Sequence, residues 1–145
     1  MGDLSDLAYG GFLGTWVLDP SSCVYEQGEP PLAGLYRIVE GDDGRLHFHV
    51  RWTDAERREH AVSFAGNPSG EPEPFAGGDL ADTLSVKAVS PRELNSTASY
   101  RGVERMVAQR QLDETGRAMR VTQIVRLPTG ESLANVAIYV KRPEN

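Results

Sequence analysis

A chain of 145 residues, of which 25% are charged and 39% hydrophobic, has the composition of a globular domain rather than of a disordered or membrane-spanning chain. Its net charge of −6, with no cluster of lysine and arginine, predicts no binding to nucleic acid or to an anionic membrane surface. The single cysteine, Cys23, excludes an intramolecular disulfide and a metal site built from several cysteines. We therefore expect one domain over residues 1–145.

The first ten residues predict a flexible extension that precedes the fold. The opening MGDLSDLAYGG is acidic and lacks the apolar segment of a secretory signal peptide. We therefore expect a cytoplasmic protein with no membrane partner. The sequence leaves open whether it forms a homodimer.

Short runs of alternating apolar and polar residues recur along the chain, whereas a 3.6-residue period is missing. These runs predict nine strands, over residues 11–18, 34–40, 45–52, 58–65, 83–89, 93–100, 103–112, 118–127 and 132–141. Turn sequences such as GDDG, DETG and PTG separate most of them. Because the connections are short, we expect an all-β fold, an up-and-down antiparallel barrel of eight to ten strands that closes to hide its edges.

Two longer segments interrupt this rhythm, residues 19–32 and 66–81. Both are rich in proline, glycine and acidic residues, so neither predicts a central strand. We expect residues 66–81 to be the most mobile internal segment and to lie at the open end of the barrel. The sequence leaves open whether they form a lid or only a connection.

The hairpins in the first half of the chain predict which side chains face inward. Pairing across the GDDG turn aligns Leu35, Arg37 and Val39 with Val50, Phe48 and Leu46. Trp52 continues this face, and the next hairpin adds His60, Val62 and Phe64. The predicted interior therefore includes an arginine and a histidine among apolar and aromatic side chains.

The hairpin at residues 101–102 predicts the direction of Arg105. A two-residue turn places Tyr100 opposite Val103, and strand alternation then puts Arg105 on the same inner face as Tyr100. A slip of one residue would send Arg105 to solvent. We expect Arg105 and Tyr100 to be neighbours inside the barrel.

Pairing across the DETG turn brings two amide side chains to the inner face. It places Val107 beside Gln123 and Val121 beside Gln109. A solid core would not hold two arginines, two glutamines and a histidine, since burying each without a partner costs several kcal/mol. The set therefore predicts a cavity with partly polar walls, although some of these side chains can instead reach water at the rim.

The three histidines do not predict a metal site. His47 and His49 share one face of their strand, but the register that buries Phe48 puts them outside and His60 inside. No nucleotide-binding loop, catalytic triad or paired carboxylate is present, so we expect no cofactor.

The two ends of the chain resemble the calycin barrels, the lipocalins and intracellular fatty-acid-binding proteins. Gly14-x-Trp16 resembles their first strand, VAIYVK at 136–141 their last, and GTWVLDPSS further resembles uncharacterised bacterial lipocalin-like proteins. The resemblance implies that Gly14 and Trp16 are structural, with Trp16 closing one end of the barrel. In the fatty-acid-binding proteins an arginine in the last strand holds a carboxylate, but here Tyr139 is kept and Ala137 stands at the arginine position, so this clamp does not carry over. The turn at 128–130 leaves open whether Tyr139 or Ile138 faces inward, and an acidic group would be held by Arg37 or Arg105.

We therefore expect a protein that binds a small, largely apolar molecule with a polar or acidic group in its cavity. The predicted ligand contacts are Arg37, Phe48, Trp52, His60, Phe64, Tyr100, Arg105, Gln109, Gln123 and Tyr139. The alternative is a cofactor-free cyclase or isomerase that acts on a flexible apolar substrate in the same cavity. In that case His60, Tyr100 and Arg105 are the predicted catalytic residues.

Overall fold

The computed structural model describes residues 9–76 and 81–143, in which a short 3-10 helix, Gly10–Phe12, precedes ten β-strands. The strands are β1 (Gly14–Tyr25), β2 (Ala33–Glu40), β3 (Leu46–Thr53), β4 (Glu59–Gly66), β5 (Glu73–Pro74), β6 (Thr83–Ser90), β7 (Glu93–Tyr100), β8 (Val103–Leu112), β9 (Ala118–Arg126) and β10 (Ser132–Lys141). Nine of them correspond to the predicted strands, and β5 is additional.

The strands form one antiparallel sheet in the order β4-β3-β2-β1-β10-β9-β8-β7-β6-β5. Because β1 pairs with β10, the first and last strands meet and the up-and-down sheet curls into a nearly closed barrel. This confirms the predicted fold class. Within the described residues no ladder joins β4 to β5, so these two strands remain the edges of the sheet.

The turn between β7 and β8 has the two-residue form that the sequence predicts. Arg101 has a φ of 50° and Gly102 a φ of 78°, the two positive values of a type I′ turn. Tyr100 pairs with Val103, as expected. Glycine adopts such a φ freely, whereas Arg101 is held there against its own preference.

A β-bulge at Arg105 reverses the rest of β8 relative to the prediction. Ser99 pairs with Glu104, but Ala98 pairs with Met106, so Arg105 is an extra residue without a partner in β7. Every later residue of β8 is therefore displaced by one position. The expectation that Arg105 faces inward was wrong for this reason.

The β2–β3 hairpin also differs by one residue from the predicted register. Its loop has five residues, closed by the Gly41 N–H donating to the Arg45 carbonyl at 2.9 Å. Tyr36, rather than Leu35, therefore pairs with Val50. The predicted inner face of β3 is correct, but that of β2 is wrong, and Arg37 is exposed on the outside.

The predicted pairing of β3 with β4 is confirmed. Phe48 pairs with Phe64, and their rings stack at a centroid distance of 4.6 Å and an interplanar angle of 13°. Trp52 pairs with His60 in the same ladder. These strands therefore carry the aromatic side chains from the closed end of the barrel to its mouth.

One end of the barrel is filled by a solid apolar core. Its side chains have no solvent exposure and are Phe12, Trp16, Ile38, Leu46, Phe48, Val86, Leu94 and Met119. The Trp16 indole donates its Nε1 hydrogen to the Phe12 carbonyl at 3.0 Å. Gly14 has a φ of 130°, which favours glycine as the chain enters β1 from the 3-10 helix. Trp16 therefore lies at the closed end, as predicted.

The chain belongs to the fold from at least Tyr9 onward. Tyr9 is 2% exposed and donates its phenol hydrogen to the Glu40 carboxylate. The predicted extension over residues 1–10 is thus wrong for Tyr9 and Gly10. Residues 1–8 lie outside the described residues, and there the expectation stays a prediction.

Residues 67–76, within the predicted loop, double back along β6 toward the mouth of the barrel. Three backbone N–H groups join the two segments, from Ala88 to Pro68 O (3.0 Å), from Gly70 to Val86 O (2.8 Å) and from Phe75 to Asp82 O (2.9 Å). The segment lies between β6 and the β4 edge of the sheet, where the Arg45 guanidinium donates to both the Ala65 carbonyl of β4 and the Glu73 carboxylate of β5. It begins at the closed end, so only its second half lies where the sequence predicted. Residues 77–80 lie outside the described residues.

These hydrogen bonds predict the exchange behaviour of the segment. We expect the amide hydrogens of Gly70 and Phe75 to exchange slowly in both free and ligand-bound protein, because they are bonded to the carbonyls of Val86 and Asp82. Hydrogen exchange followed residue by residue measures this. Rapid exchange in the free protein that slows only on ligand binding would show a lid instead.

Candidate functional site

A cavity of about 480 Å³ lies inside the barrel, between the closed-end core and the opposite end. Large aromatic side chains form much of its wall, Tyr36, Trp52, Phe64, Phe75 and Tyr139. Small residues face each other on β7 and β8, where Ser96, Ala98 and Ala108 leave room for it. The mouth carries polar groups from the loops and strand ends, among them Glu29, Asp54 and Asn135.

Arg110 is the charged residue at the base of the cavity. Its side chain is 1% exposed, and it faces inward because the bulge at Arg105 shifts β8 by one residue. Its Nε donates to the Tyr36 hydroxyl at 2.7 Å and one Nη to the Ser96 hydroxyl at 3.0 Å. The other Nη donates to the Leu94 carbonyl at 3.4 Å. Residues of β2 and β7 thus fix the guanidinium group of this β8 residue beside the cavity.

No carboxylate of the described residues pairs with Arg110. None of the five ion pairs within residues 9–76 and 81–143 includes it. Its guanidinium instead lies 4.6 Å from the Phe48 ring centroid, a cation–π contact. A guanidinium has five N–H donors, and the three hydrogen bonds use only three of them. Because a buried cation without a counter-ion is costly, this site can gain by taking an anion from outside the protein.

Tyr139 adds a neutral hydroxyl to the same region. Its side chain faces inward, and its ring meets Tyr36 edge-on at a centroid distance of 5.4 Å. Burial raises the pKa of Tyr139 far above its ordinary value, with a smaller contribution from the neighbouring Tyr36. Among the hydrogen bonds of the described residues, none involves this hydroxyl, so its proton is available to a ligand.

The raised pKa of Tyr139 predicts a loss of stability at alkaline pH. Above about pH 10 the unfolded phenol ionises while the folded one keeps its proton, so the unfolded state binds fewer protons. The free energy of unfolding therefore falls as the pH rises from about 10 toward the folded value and is unaffected below it. Urea unfolding from pH 8 to pH 11 measures this. We expect a shallower decline in Tyr139→Phe, and identical slopes would contradict the assignment.

Several of the residues predicted as ligand contacts do line the cavity. They are Trp52, Phe64, Gln123 and Tyr139. Phe48 is not among the lining residues, but its ring stacks on that of Phe64 and lies 4.6 Å from the Arg110 guanidinium carbon. Tyr139 rather than Ile138 faces inward, which answers the question that the turn at 128–130 left open.

The other predicted contacts lie elsewhere. Arg37 is exposed on the outer face of β2, and Gln109 is displaced outward with the rest of β8. Arg105 and Tyr100 are neighbours, with the guanidinium 5.7 Å from the ring centroid, but neither lines the cavity. His60 lies behind Trp52 at the rim. The residues predicted as catalytic, His60, Tyr100 and Arg105, are thus not among those that line the cavity, and their catalytic roles stay a prediction.

Arg110, Tyr36 and Ser96 were missed by reasoning from the sequence. One signal for them exists in the run of small residues, because Ser96, Ala98 and Ala108 on facing strands leave space that a large side chain can fill. Arg110 follows Ala108 on the same face of β8. Reading the small residues as one face would have placed Arg110 inside.

The histidines lie apart, each with its own partner. His47 contacts Asp43 at 3.2 Å, His49 contacts Ser63 at 2.9 Å, and His60 contacts Asp54. In the part of the chain that the structure describes, no group of three or more His, Cys, Asp or Glu side chains is arranged to hold a metal ion. No helix within it has the length and apolar character needed to cross a membrane.

Comparison with known proteins identifies the architecture. No protein-family model matches the sequence, and no curated protein matches it. Among solved structures, the fluorescent protein UnaG superposes with a TM-score of 0.59 at 14% identity, covering 92% of this chain and 98% of the other. The protein EF1p2_mFAP2b bound to DFHBI gives a TM-score of 0.56 at 10% identity, covering 97% and 100%. The zebrafish ileal bile acid-binding protein complexed with cholic acid gives a TM-score of 0.51 at 14% identity, covering 91% of this chain and 99% of the other.

These likenesses show the fold. The protein has the up-and-down β-barrel fold of these structures, which is the fold that its resemblance to the calycin barrels implied. The narrower resemblance to uncharacterised bacterial lipocalin-like proteins is not supported by any of the comparisons.

Proposed function

We propose that the protein binds a small, largely apolar molecule whose acidic group lies against Arg110 inside the barrel. The observation that carries this proposal is a fully buried guanidinium with two unused N–H donors and no carboxylate partner among the described residues. A carboxylate or enolate oxygen of a ligand supplies the missing charge. Such a contact is strong because the surrounding wall excludes water.

The rest of the cavity is suited to the apolar part of such a molecule. Its volume of about 480 Å³ lies within the range of small-molecule sites, roughly 300–1,000 Å³. The aromatic wall offers flat surfaces to a ring or a conjugated chain. The Tyr139 hydroxyl, in the same cavity, can donate a further hydrogen bond to a ligand oxygen. Two of the similar structures carry bound small molecules, DFHBI and cholic acid, which is compatible with a binding role.

A cofactor-free cyclase or isomerase was the alternative, and no specific observation favours it. Its predicted catalytic residues do not line the cavity. Arg110, Tyr36 and Tyr139 offer hydrogen-bond donors to the cavity, whereas the carboxylates that border it, Glu29 and Asp54, are at the mouth. A proton acceptor beside the reacting atoms is needed for such chemistry.

Matched pairs of ligands test the proposal. Isothermal titration calorimetry of apolar carboxylic acids and of their primary amides compares molecules of nearly the same shape, of which only the acid is charged. We expect saturable binding at one molecule per barrel, with each acid bound more tightly than its amide. Equal affinities for acid and amide, or no saturable binding of any apolar acid, would contradict the proposal.

A further inference from the structure

Trp52 separates the cavity from a second space on the outside of the barrel. This outer cleft, of about 310 Å³, exists because the β1–β2 ladder ends at the Val17–Leu35 pair, whereas β2 and β3 stay paired as far as Ala33 and Thr53. The indole of Trp52 borders both spaces. It is therefore part of the wall between them.

The wall beside Trp52 is thin. Gly34 borders the outer cleft, and a Cβ at this position would lie 3.2 Å from the Leu18 Cβ and 3.5 Å from the Tyr139 hydroxyl oxygen. Tyr139 itself lines the inner cavity. Gly34, which has no side chain, thus pairs with Trp52 in this part of the wall. The position of the Trp52 ring therefore decides how far the cavity extends on this side.

His60 holds the Trp52 ring in place. The two rings stack at a centroid distance of 5.1 Å and an angle of 17°. The His60 Nε2 lies 2.8 Å from the Asp54 carboxylate, whose other oxygen accepts the N–H groups of Glu56 and Arg58 at 2.9 Å. The β3–β4 turn therefore fixes Asp54, Asp54 fixes His60, and His60 fixes the indole.

We propose that His60 is a positioning residue that sets the upper size of the ligand by holding Trp52 as a wall. It does not line the inner cavity and acts only through the indole. When the stack is removed, the indole can turn toward the outer cleft and the two spaces join. Larger ligands then have more space and bind more tightly, whereas small ligands lose their contact with the Trp52 ring. This inference rests on the proposed function, because it concerns selection among ligands of the same cavity.

Two fluorescent sulfonates of different size test the proposal. They are 8-anilinonaphthalene-1-sulfonate and its doubled form, bis-ANS, both of which combine apolar rings with an anionic group. We expect His60→Ala to raise the affinity for bis-ANS relative to the smaller dye by about two- to tenfold, the range of one aromatic contact. His60→Phe keeps a ring against Trp52, so we expect it to restore most of the wild-type ratio. A general loosening of the fold would change the affinities for both dyes in the same direction and leave the ratio of the two affinities unchanged.

His49→Ala is the matched control. His49 lies on the adjacent strand and faces outward, and its side chain hydrogen-bonds to Ser63, so its removal should leave the ratio of affinities unchanged. An unchanged or lower ratio in His60→Ala, or the same increase in His49→Ala, would overturn the proposal for His60. Failure of the binding proposal itself looks different, since Arg110→Met would then leave the affinity for both dyes unaltered.

Discussion

Replacing Arg110 with methionine is expected to weaken the binding of an apolar acid by about 1.5–3 kcal/mol, the usual contribution of hydrogen bonds to a charged group. Methionine fills a similar volume with a flexible apolar chain, so the substitution removes the charge without opening a large void. The loss should be much smaller for the corresponding amide, which carries no charge for the guanidinium to neutralise. Isothermal titration calorimetry of the acid and the amide, each with the wild-type protein and with Arg110→Met, gives the four affinities that this comparison needs.

Arg105→Met provides the control for this prediction. Arg105 is an arginine of the same strand, only five residues away, but the bulge keeps it out of the cavity. We expect its removal to leave the affinity for the acid unchanged. A loss in Arg105→Met equal to that in Arg110→Met would point to an effect of total charge, and no loss in Arg110→Met would exclude Arg110 as the anion site.

Replacing Trp16 with alanine is expected to lower the free energy of unfolding by about 3–5 kcal/mol, the range for emptying a large buried aromatic site. The indole is fully buried among the closed-end side chains, and its Nε1 hydrogen bond to Phe12 is lost as well. Urea unfolding followed by circular dichroism measures the change. A loss below about 1 kcal/mol would contradict the view that Trp16 closes the barrel.

Trp52→Ala is the control for Trp16→Ala, because it removes a tryptophan that does not belong to the closed-end core. Trp52 is half-buried at the mouth, with a space on either side, so its removal should cost less stability than that of Trp16. Its effect should instead appear in ligand affinity. Similar losses of stability in the two variants would contradict this division between the closed end and the mouth.

Most of the fold could be predicted because the local signals agree with each other. Alternation marks the strands, and short turns between them leave an up-and-down meander as the simplest arrangement. The pairing of Phe48 with Phe64 and of Trp52 with His60 followed from apolar alternation in two adjacent strands. Trp16 was placed correctly by the same pattern and by the resemblance of Gly14-x-Trp16 to calycin barrels.

The charged part of the site could not be predicted because it depends on single-residue shifts. The bulge at Arg105 lies in VERMVAQ, which contains no glycine or proline to mark an irregularity. The five-residue loop before β3 differs from a four-residue loop only by Arg45. Each shift of one residue exchanges the two faces of a strand, so Arg110 replaced Arg105 inside and Tyr36 replaced Arg37. The sequence therefore predicted which kinds of side chain lie inside the barrel better than it predicted which particular residues they are.

A crystal structure of the protein with a bound apolar acid tests the central claim most directly. We expect the carboxylate oxygens to lie about 2.7–2.9 Å from the Arg110 guanidinium nitrogens, with the apolar body of the ligand along the aromatic wall toward the mouth. A ligand whose carboxylate lies at the mouth or on the outer surface, with the Arg110 donors still unused, would contradict it.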